Sequence, residues 1–342
     1  MGCALGLVVV VLRWPALGGG RPCGSVLAFA GPSGARGRRA CKVRSGRTWC
    51  LSISSSIALA ERGTTLLSVV VASLLVSATS LRSAEPTAEV PFELYQHHLI
   101  VTKGSIGLLN GLSLLIDTGT IPSVVDSRIA RKLHLKFESS TLVAFSQSVQ
   151  IHSAILDGFR IGPLQSGPVP TAIGDLSYLE GVRIDGIVGL DVLGRKSFSI
   201  DYRTRVLRFL PAGREDSVAP LEVTWPFLTV RMTIAGQQVR LLVDTGSSDL
   251  VLFKSRMPAA LSRPPWRGDK TVHHASGTAR LLRVDLRQVS LGRHVWDTLP
   301  GWTLDRLPDG YPEGIDGVLG VLSLGCQSVR FDFERSELGY SP

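Results

Sequence analysis

The chain contains two pairs of matching segments, in the same order and at nearly constant spacing. Residues 114–119 read Leu-Leu-Ile-Asp-Thr-Gly, and residues 241–246 read Leu-Leu-Val-Asp-Thr-Gly. Residues 184–190 and 315–321 share Ile-Asp-Gly, two apolar residues and a second glycine. The copies are 127 residues apart for the first pair and 131 for the second. This pattern predicts a duplicated unit, and therefore two similar lobes.

The local pattern within each repeat is mostly that of β-structure. Short apolar runs precede each Asp-Thr-Gly, at residues 113–116 and 239–243, and residues 198–209 resemble a hairpin. One helical candidate, residues 127–135, places apolar side chains at helical spacing. The sequence therefore predicts an all-β, bilobal fold of two duplicated lobes with a cleft between them.

The lobe boundaries are predicted from composition. Residues 211–220 are polar and bounded by prolines, which is typical of a linker. We therefore expect an N-terminal lobe at residues 90–212 and a C-terminal lobe at residues 220–342. Residues 1–84 precede them, and much of this stretch is too rich in Gly, Arg and Ser to bury a core.

The net charge of +9 does not indicate a nucleic-acid partner. Residues 1–84 contain ten of the basic residues and one acidic residue, so the remaining chain has 27 of each. A groove that binds phosphates needs basic charge clustered on the folded body. We therefore expect no nucleic-acid partner.

An apolar run at residues 66–76 follows Arg62 and precedes small residues suited to cleavage near Ala78. This arrangement predicts a secretory signal and a secreted or periplasmic protein, whose natural product begins nearer Arg62. The alternative is that residues 66–80 remain as a membrane anchor, with the protein facing outside the cytoplasm.

Asp117 and Asp244 are the candidate catalytic residues. Two carboxylates held about 3 Å apart share one proton, so one can act as a base on water while the other donates a proton. Such a pair titrates as a unit, and the sequence alone leaves the acid and base roles open. A duplicated lobe supplies the near-twofold arrangement that this chemistry requires.

The residues that follow each aspartate are expected to support its loop. They are Thr118, Gly119 and Thr120 in the first copy, and Thr245, Gly246 and Ser247 in the second. Glycine lets the backbone approach a carboxylate closely, and the first hydroxyl of each copy can bond across the lobe junction. The second hydroxyl is expected beside each carboxylate, which gains from such donors.

Other polar residues fit structural roles better than chemical ones. Asp185 and Asp316 lie in Asp-Gly pairs, which suit tight turns. The two His-His pairs suit a metal site poorly, because neighbouring strand residues point to opposite faces. Cys326 is the single cysteine after residue 84, and we expect it to be a small buried residue. We predict neither a metal nor a cofactor.

Residues 90–342 resemble the pepsin and retropepsin superfamily of aspartic peptidases. The resemblance depends on the two Asp-Thr-Gly segments and on residues 187–189 and 318–320, which in that superfamily pass behind the active-site loops. Residues 121–135 resemble bacterial retropepsin-like proteins. The resemblance implies two fused lobes with an intramolecular dyad, hence a monomer without cofactors.

The resemblance also implies a β-hairpin flap over the substrate in each lobe. Residues 273–278 suit a flap tip in the second lobe, but residues 139–154 contain no glycine and no clear flap tyrosine. The predicted function is aspartic endopeptidase action on extended peptides. The alternatives are a non-catalytic peptide-binding protein of the same fold and a membrane-anchored assembly factor.

Overall fold

The computed structural model describes residues 11–13 and 88–341, apart from residues 144–147, 178, 180, 210–214, 225, 259–260, 262–265, 275–276 and 308–310. The predicted signal or anchor segment lies outside these residues. Within them, no helix is both long enough and apolar enough to cross a membrane.

Strands make up most of the described chain. A short strand β1 (Val11–Arg13) precedes the first repeat. The strands of the first repeat are β2 (Ala88–Tyr95), β3 (Leu99–Ile106), β4 (Leu109–Ile116), β5 (Val124–Asp126), β6 (Glu138–Val143), β7 (Ser148–Leu156), β8 (Phe159–Ile161), β9 (Leu164–Gln165), β10 (Val169–Gly174), β11 (Gly186–Val188), β12 (Phe198–Asp201) and β13 (Val206–Phe209). Its two short helices are α1 (Ser127–Lys132) and α2 (Leu190–Leu193).

The second repeat follows the same plan. Its strands are β14 (Ser217–Thr224), β15 (Phe227–Ile234), β16 (Gln237–Asp244), β17 (Leu250–Phe253), β18 (Trp266–His274), β19 (Gly277–Leu291), β20 (His294–Leu304), β21 (Gly317–Gly320), β22 (Ser328–Asp332) and β23 (Glu337–Ser341). Short 3-10 turns at Lys254–Arg256 and Val321–Leu324 occupy the places of the two helices.

The two repeats share one strand topology. In the first, β4 pairs antiparallel with β3 and parallel with β11, and β11 also pairs antiparallel with β5. In the second, β16 makes the same two pairings with β15 and β21, and β21 pairs antiparallel with β17. The predicted duplicated, all-β fold is therefore confirmed.

A six-stranded antiparallel sheet joins the lobes, in the order β2-β13-β12-β22-β23-β14. Each repeat supplies three of its strands, and β12 pairs with β22 at the centre. Phe198 lies opposite Phe331, with stacked ring centroids 4.7 Å apart and both side chains fully buried. Burial of two such rings stabilises the junction by several kcal/mol (about 1.5–3 for each side chain).

Several predicted elements differ from the observed ones at their ends. The hairpin at residues 198–209 is confirmed as β12 and β13. The helix predicted at residues 127–135 ends at Lys132, because Leu133 caps it and His134 adopts a left-handed conformation (φ 52°). Residues 217–220 of the predicted linker lie in β14, which pairs with β23. Pro220 fits there because β14 is an edge strand of the joining sheet, where a missing N–H is tolerated.

Hairpins occur in both lobes at the positions expected for flaps. In the second lobe β18 pairs with β19 up to His274 and Gly277. In the first lobe β6 pairs with β7 up to Val143 and Ser148, although residues 139–154 contain no glycine.

Tyr202, which directly follows β12, provides a test of packing in the joining sheet. Its hydroxyl is buried without a hydrogen-bond partner among the described residues, and its counterpart in the second repeat is Phe333. Tyr202→Phe is therefore expected to raise the free energy of unfolding by about 1 kcal/mol, measured by urea denaturation. Tyr340→Phe is the control and should destabilise, because that hydroxyl donates to the Leu291 carbonyl at 2.6 Å. Equal losses in both variants would contradict the prediction.

Candidate active site

The two aspartates lie at equivalent strand ends. Asp117 directly follows β4, and its backbone N–H donates to the Val188 carbonyl of β11 at 3.1 Å. Asp244 is the last residue of β16 and lies opposite Gly320 of β21. The segments predicted to pass behind the loops therefore pair with the strands that carry the aspartates.

The second glycine of each of these segments is required by a close backbone approach. A Cβ atom on Gly189 would lie 2.1 Å from the Thr120 carbonyl oxygen, and one on Gly320 would lie 2.4 Å from that of Ser247. Real side chains do not tolerate such distances. The repeated glycines thus let β11 and β21 pack directly against the two aspartate loops.

The first threonine of each loop bonds across the lobe junction. The Thr118 hydroxyl donates to the Val243 carbonyl at 2.9 Å and accepts the Thr245 N–H at 3.1 Å. The Thr245 hydroxyl donates to the Ile116 carbonyl at 3.1 Å and accepts the Thr118 N–H at 3.0 Å. These four reciprocal bonds interlock the loops and fix the separation of the two aspartates.

The carboxyl groups of Asp117 and Asp244 are fully buried and lie close enough together to shift each other's pKa. Asp117 Oδ1 accepts the Gly119 N–H at 2.8 Å, and Asp244 Oδ1 accepts the Gly246 N–H at 2.7 Å. A Cβ on Gly119 would lie 2.6 Å from Asp244 Cγ, so the glycine is needed for this approach.

The loops differ in their second hydroxyl. The Thr120 hydroxyl donates to Asp117 Oδ2 at 2.7 Å, as expected. The Ser247 hydroxyl instead contacts the main chain of Asp249, so the expectation of a second hydroxyl beside each carboxylate was wrong for Asp244. Asp244 Oδ2 is buried without a hydrogen-bond donor among the described residues. Negative charge is therefore better stabilised on Asp117.

Burial raises the pKa of both carboxyl groups. The pKa of Asp117 is raised to about 6, because desolvation outweighs the hydrogen bonds from Thr120 and Gly119. The pKa of Asp244 is raised well above its ordinary value by desolvation and by the neighbouring charge of Asp117. The pair therefore retains a proton at neutral pH, and Asp244 is the favoured site for it.

The remaining Asp-Gly aspartates lie behind the site and serve the backbone. Asp185 accepts the Ser113 N–H at 3.0 Å, and Asp316 accepts the Arg240 N–H at 2.8 Å. Each also exchanges a main-chain bond with the same strand residue. They extend the pairing of β11 and β21 with the strands that carry the dyad.

A partly buried carboxylate that the sequence did not reveal supports the first loop. Asp191 Oδ1 accepts both the N–H and the hydroxyl of Ser123, at 3.0 and 2.7 Å, and that hydroxyl accepts the Gly189 N–H. Burial raises the pKa of Asp191. The equivalent second-repeat residues, Leu250 and Leu322, are apolar, so the repeat pattern gave no signal for this network.

Cys326 is buried and free, as predicted. Among the residues that the structure describes, no group of three or more His, Cys, Asp or Glu side chains is placed to hold a metal ion.

Two interlocked β-lobes that each bring one aspartate to a shared buried pair define a fold of the aspartic-peptidase type. The chain belongs to the aspartyl protease family, whose sequence profile matches it twice, at residues 104–192 and 230–322. Each match contains one Asp-Thr-Gly and one supporting segment. A search of curated proteins found no match.

Proposed function

We propose that this protein is an aspartic endopeptidase. The observation that carries the proposal is the buried, closely spaced pair of Asp117 and Asp244, held by reciprocal threonine bonds between the lobes. Family membership supports the same class of reaction. Fold alone does not guarantee turnover, so the proposal depends on this geometry.

In the proposed mechanism, the ionised Asp117 accepts a proton from a water molecule as that water attacks the peptide carbonyl. Asp244 retains the shared proton and donates it to the carbonyl oxygen. The tetrahedral intermediate collapses when Asp117 passes the proton from water to the peptide nitrogen, a hydroxyl of the intermediate returns a proton to Asp244, and the C–N bond breaks. We expect the substrate to bind as an extended strand, because backbone pairing gives sequence-tolerant affinity.

The proposal is tested by incubating the purified full-length chain with a mixed peptide pool and identifying new termini by mass spectrometry. We expect internal cleavage whose rate is proportional to protein concentration, since one chain supplies the whole dyad. Peptide capture without cleavage, by a chain shown to be folded, would favour the non-catalytic alternative. Fractionation of the processed chain would test our proposal that it acts outside the cytoplasm.

The raised pKa of Asp117 predicts the acidic limb of the pH profile. Below about pH 6 both carboxyl groups are protonated, so the base that activates water is lost. Cleavage is therefore expected to rise with pH through about 6, measured as kcat/KM between about pH 3 and pH 8. Activity that is maximal at about pH 3 and falls steadily above it would contradict this prediction.

A further inference from the structure

The flap hairpins of the two lobes can be compared residue by residue, because the strand pairings follow the same route. In the second lobe, Leu252 on the strand after Asp244 pairs with Thr303, and Thr303 pairs with Leu282. The adjacent Leu281 then pairs with Lys270. In the first lobe, Val125 pairs with Ile173, and Ile173 pairs with His152. The adjacent Ile151 then pairs with Ser140. Val125 and Leu252 each lie eight residues after their aspartate. Ser140 is therefore the counterpart of Lys270.

The second lobe has a charged contact at this position. Lys270 Nζ on β18 lies 2.6 Å from Asp249 Oδ2 and 4.1 Å from the centroid of the Trp302 ring. The Lys270 and Asp249 side chains are only 21% and 16% exposed. An ion pair that is shielded from water and covered by an aromatic face is stronger than one on the open surface.

The first lobe has no charge at the three matching positions. The counterparts of Asp249 and Trp302, reached by the same route, are Pro122 and Ala172. With Ser140, they form a neutral set that cannot make an ion pair or a cation–π contact. Duplication therefore produced two hairpins that are attached to their aspartate loops in chemically different ways.

Asp249 itself is fixed to the loop that carries Asp244. Its N–H donates to the Ser247 hydroxyl at 3.3 Å, and its carbonyl accepts the Gly320 N–H at 2.8 Å. The Ser248 hydroxyl also donates to its Oδ2 at 3.0 Å. The contact of Lys270 therefore connects β18 to the aspartate loop rather than to a separate surface.

We propose that Lys270 is a positioning residue that clamps the hairpin of β18 and β19 to the Asp244 loop through Asp249. The clamp holds the second-lobe hairpin in place before a peptide binds, whereas the matching described positions of the first lobe have no charged side chain. The clamp itself is a property of the fold. Its effect on cleavage rests on the function proposed above.

Amide hydrogen exchange on the full-length protein tests the clamp without any substrate. Lys270→Met keeps the apolar stem and removes the charge, so exchange of the β18 and β19 amides near residue 270 should accelerate by about tenfold. The β6 and β7 amides should not change. Adding Asp249→Asn to this variant should produce little further acceleration, because both changes break one contact.

Arg280→Met is the matched control. Arg280 Nε lies 2.8 Å from Asp269 Oδ2 on the same hairpin, but these side chains are 71% and 47% exposed, so their pairing should contribute little. Unchanged exchange in Lys270→Met, or equal acceleration in Arg280→Met, would overturn the clamp.

Kinetics separates the clamp from the proposed function. If the protein is a peptidase, Lys270→Met should raise KM by about tenfold with little change in kcat, because the hairpin must then be ordered on binding. Arg280→Met should leave both constants unchanged. A lack of cleavage in the parent protein would refute the proposed function and leave the exchange result standing. Unchanged kinetics in an active Lys270→Met variant would refute the positioning role.

Discussion

Asparagine at either Asp117 or Asp244 is expected to lower kcat/KM for peptide cleavage by on the order of 10³- to 10⁴-fold. The substitution preserves side-chain size but removes the proton that the pair shares or the charge that activates water. Because the two carboxyl groups act as one unit, the double variant should be little worse than either single variant. Initial rates near the pH optimum of the parent protein provide the measurement.

The same variants should remain folded, which distinguishes lost chemistry from lost structure. A carboxyl group whose pKa is raised on folding stabilises the protein at pH below its unfolded value, near 3.8, and loses that contribution as pH rises through about 6. At neutral pH, Asp117→Asn and Asp244→Asn should therefore be at least as stable as the parent. Asp297→Asn, an exposed change, should alter neither rate nor stability. Loss of cleavage in only one of the two dyad variants would contradict a single shared dyad.

The dyad's geometry could be predicted from the sequence because duplication constrains it. Two identical Asp-Thr-Gly loops at matching strand ends must be related by near-twofold symmetry if they meet at all. The glycines of the supporting segments are repeated for the same reason, because a close backbone approach excludes any side chain at Gly189 and Gly320. Structural features that occur in both repeats could therefore be predicted from this one sequence.

Side-chain contacts that occur in only one of the two repeats could not be predicted from the sequence. The Ser247 hydroxyl is bonded to Asp249 instead of Asp244, and Asp191 is bonded to Ser123, which lies 68 residues away. The contact between Lys270 and Asp249 depends on a hairpin register that no local pattern specifies. Such side-chain pairings follow from tertiary packing, so propensity and motif spacing give no signal for them.

The interlocking threonines give the second large expected effect. Thr118→Val is nearly isosteric, but it removes one hydroxyl that serves both the Val243 carbonyl and the Thr245 N–H in a buried site. Because two buried polar groups then lose their partner, we expect a loss of about 2–4 kcal/mol in the free energy of unfolding, measured by urea denaturation. Cleavage should fall even where the variant is fully folded, since dyad spacing depends on these bonds.

Two further variants make this prediction specific. Thr118→Ser retains the hydroxyl and should recover most of the stability and the activity. Thr245→Val removes the mirror-image bonds, to the Ile116 carbonyl and from the Thr118 N–H, and should match Thr118→Val in size. A much smaller effect at one site would show that the interlock is not symmetric. A full effect from Thr118→Ser would show that packing of the threonine methyl group, rather than its hydroxyl, holds the two loops together.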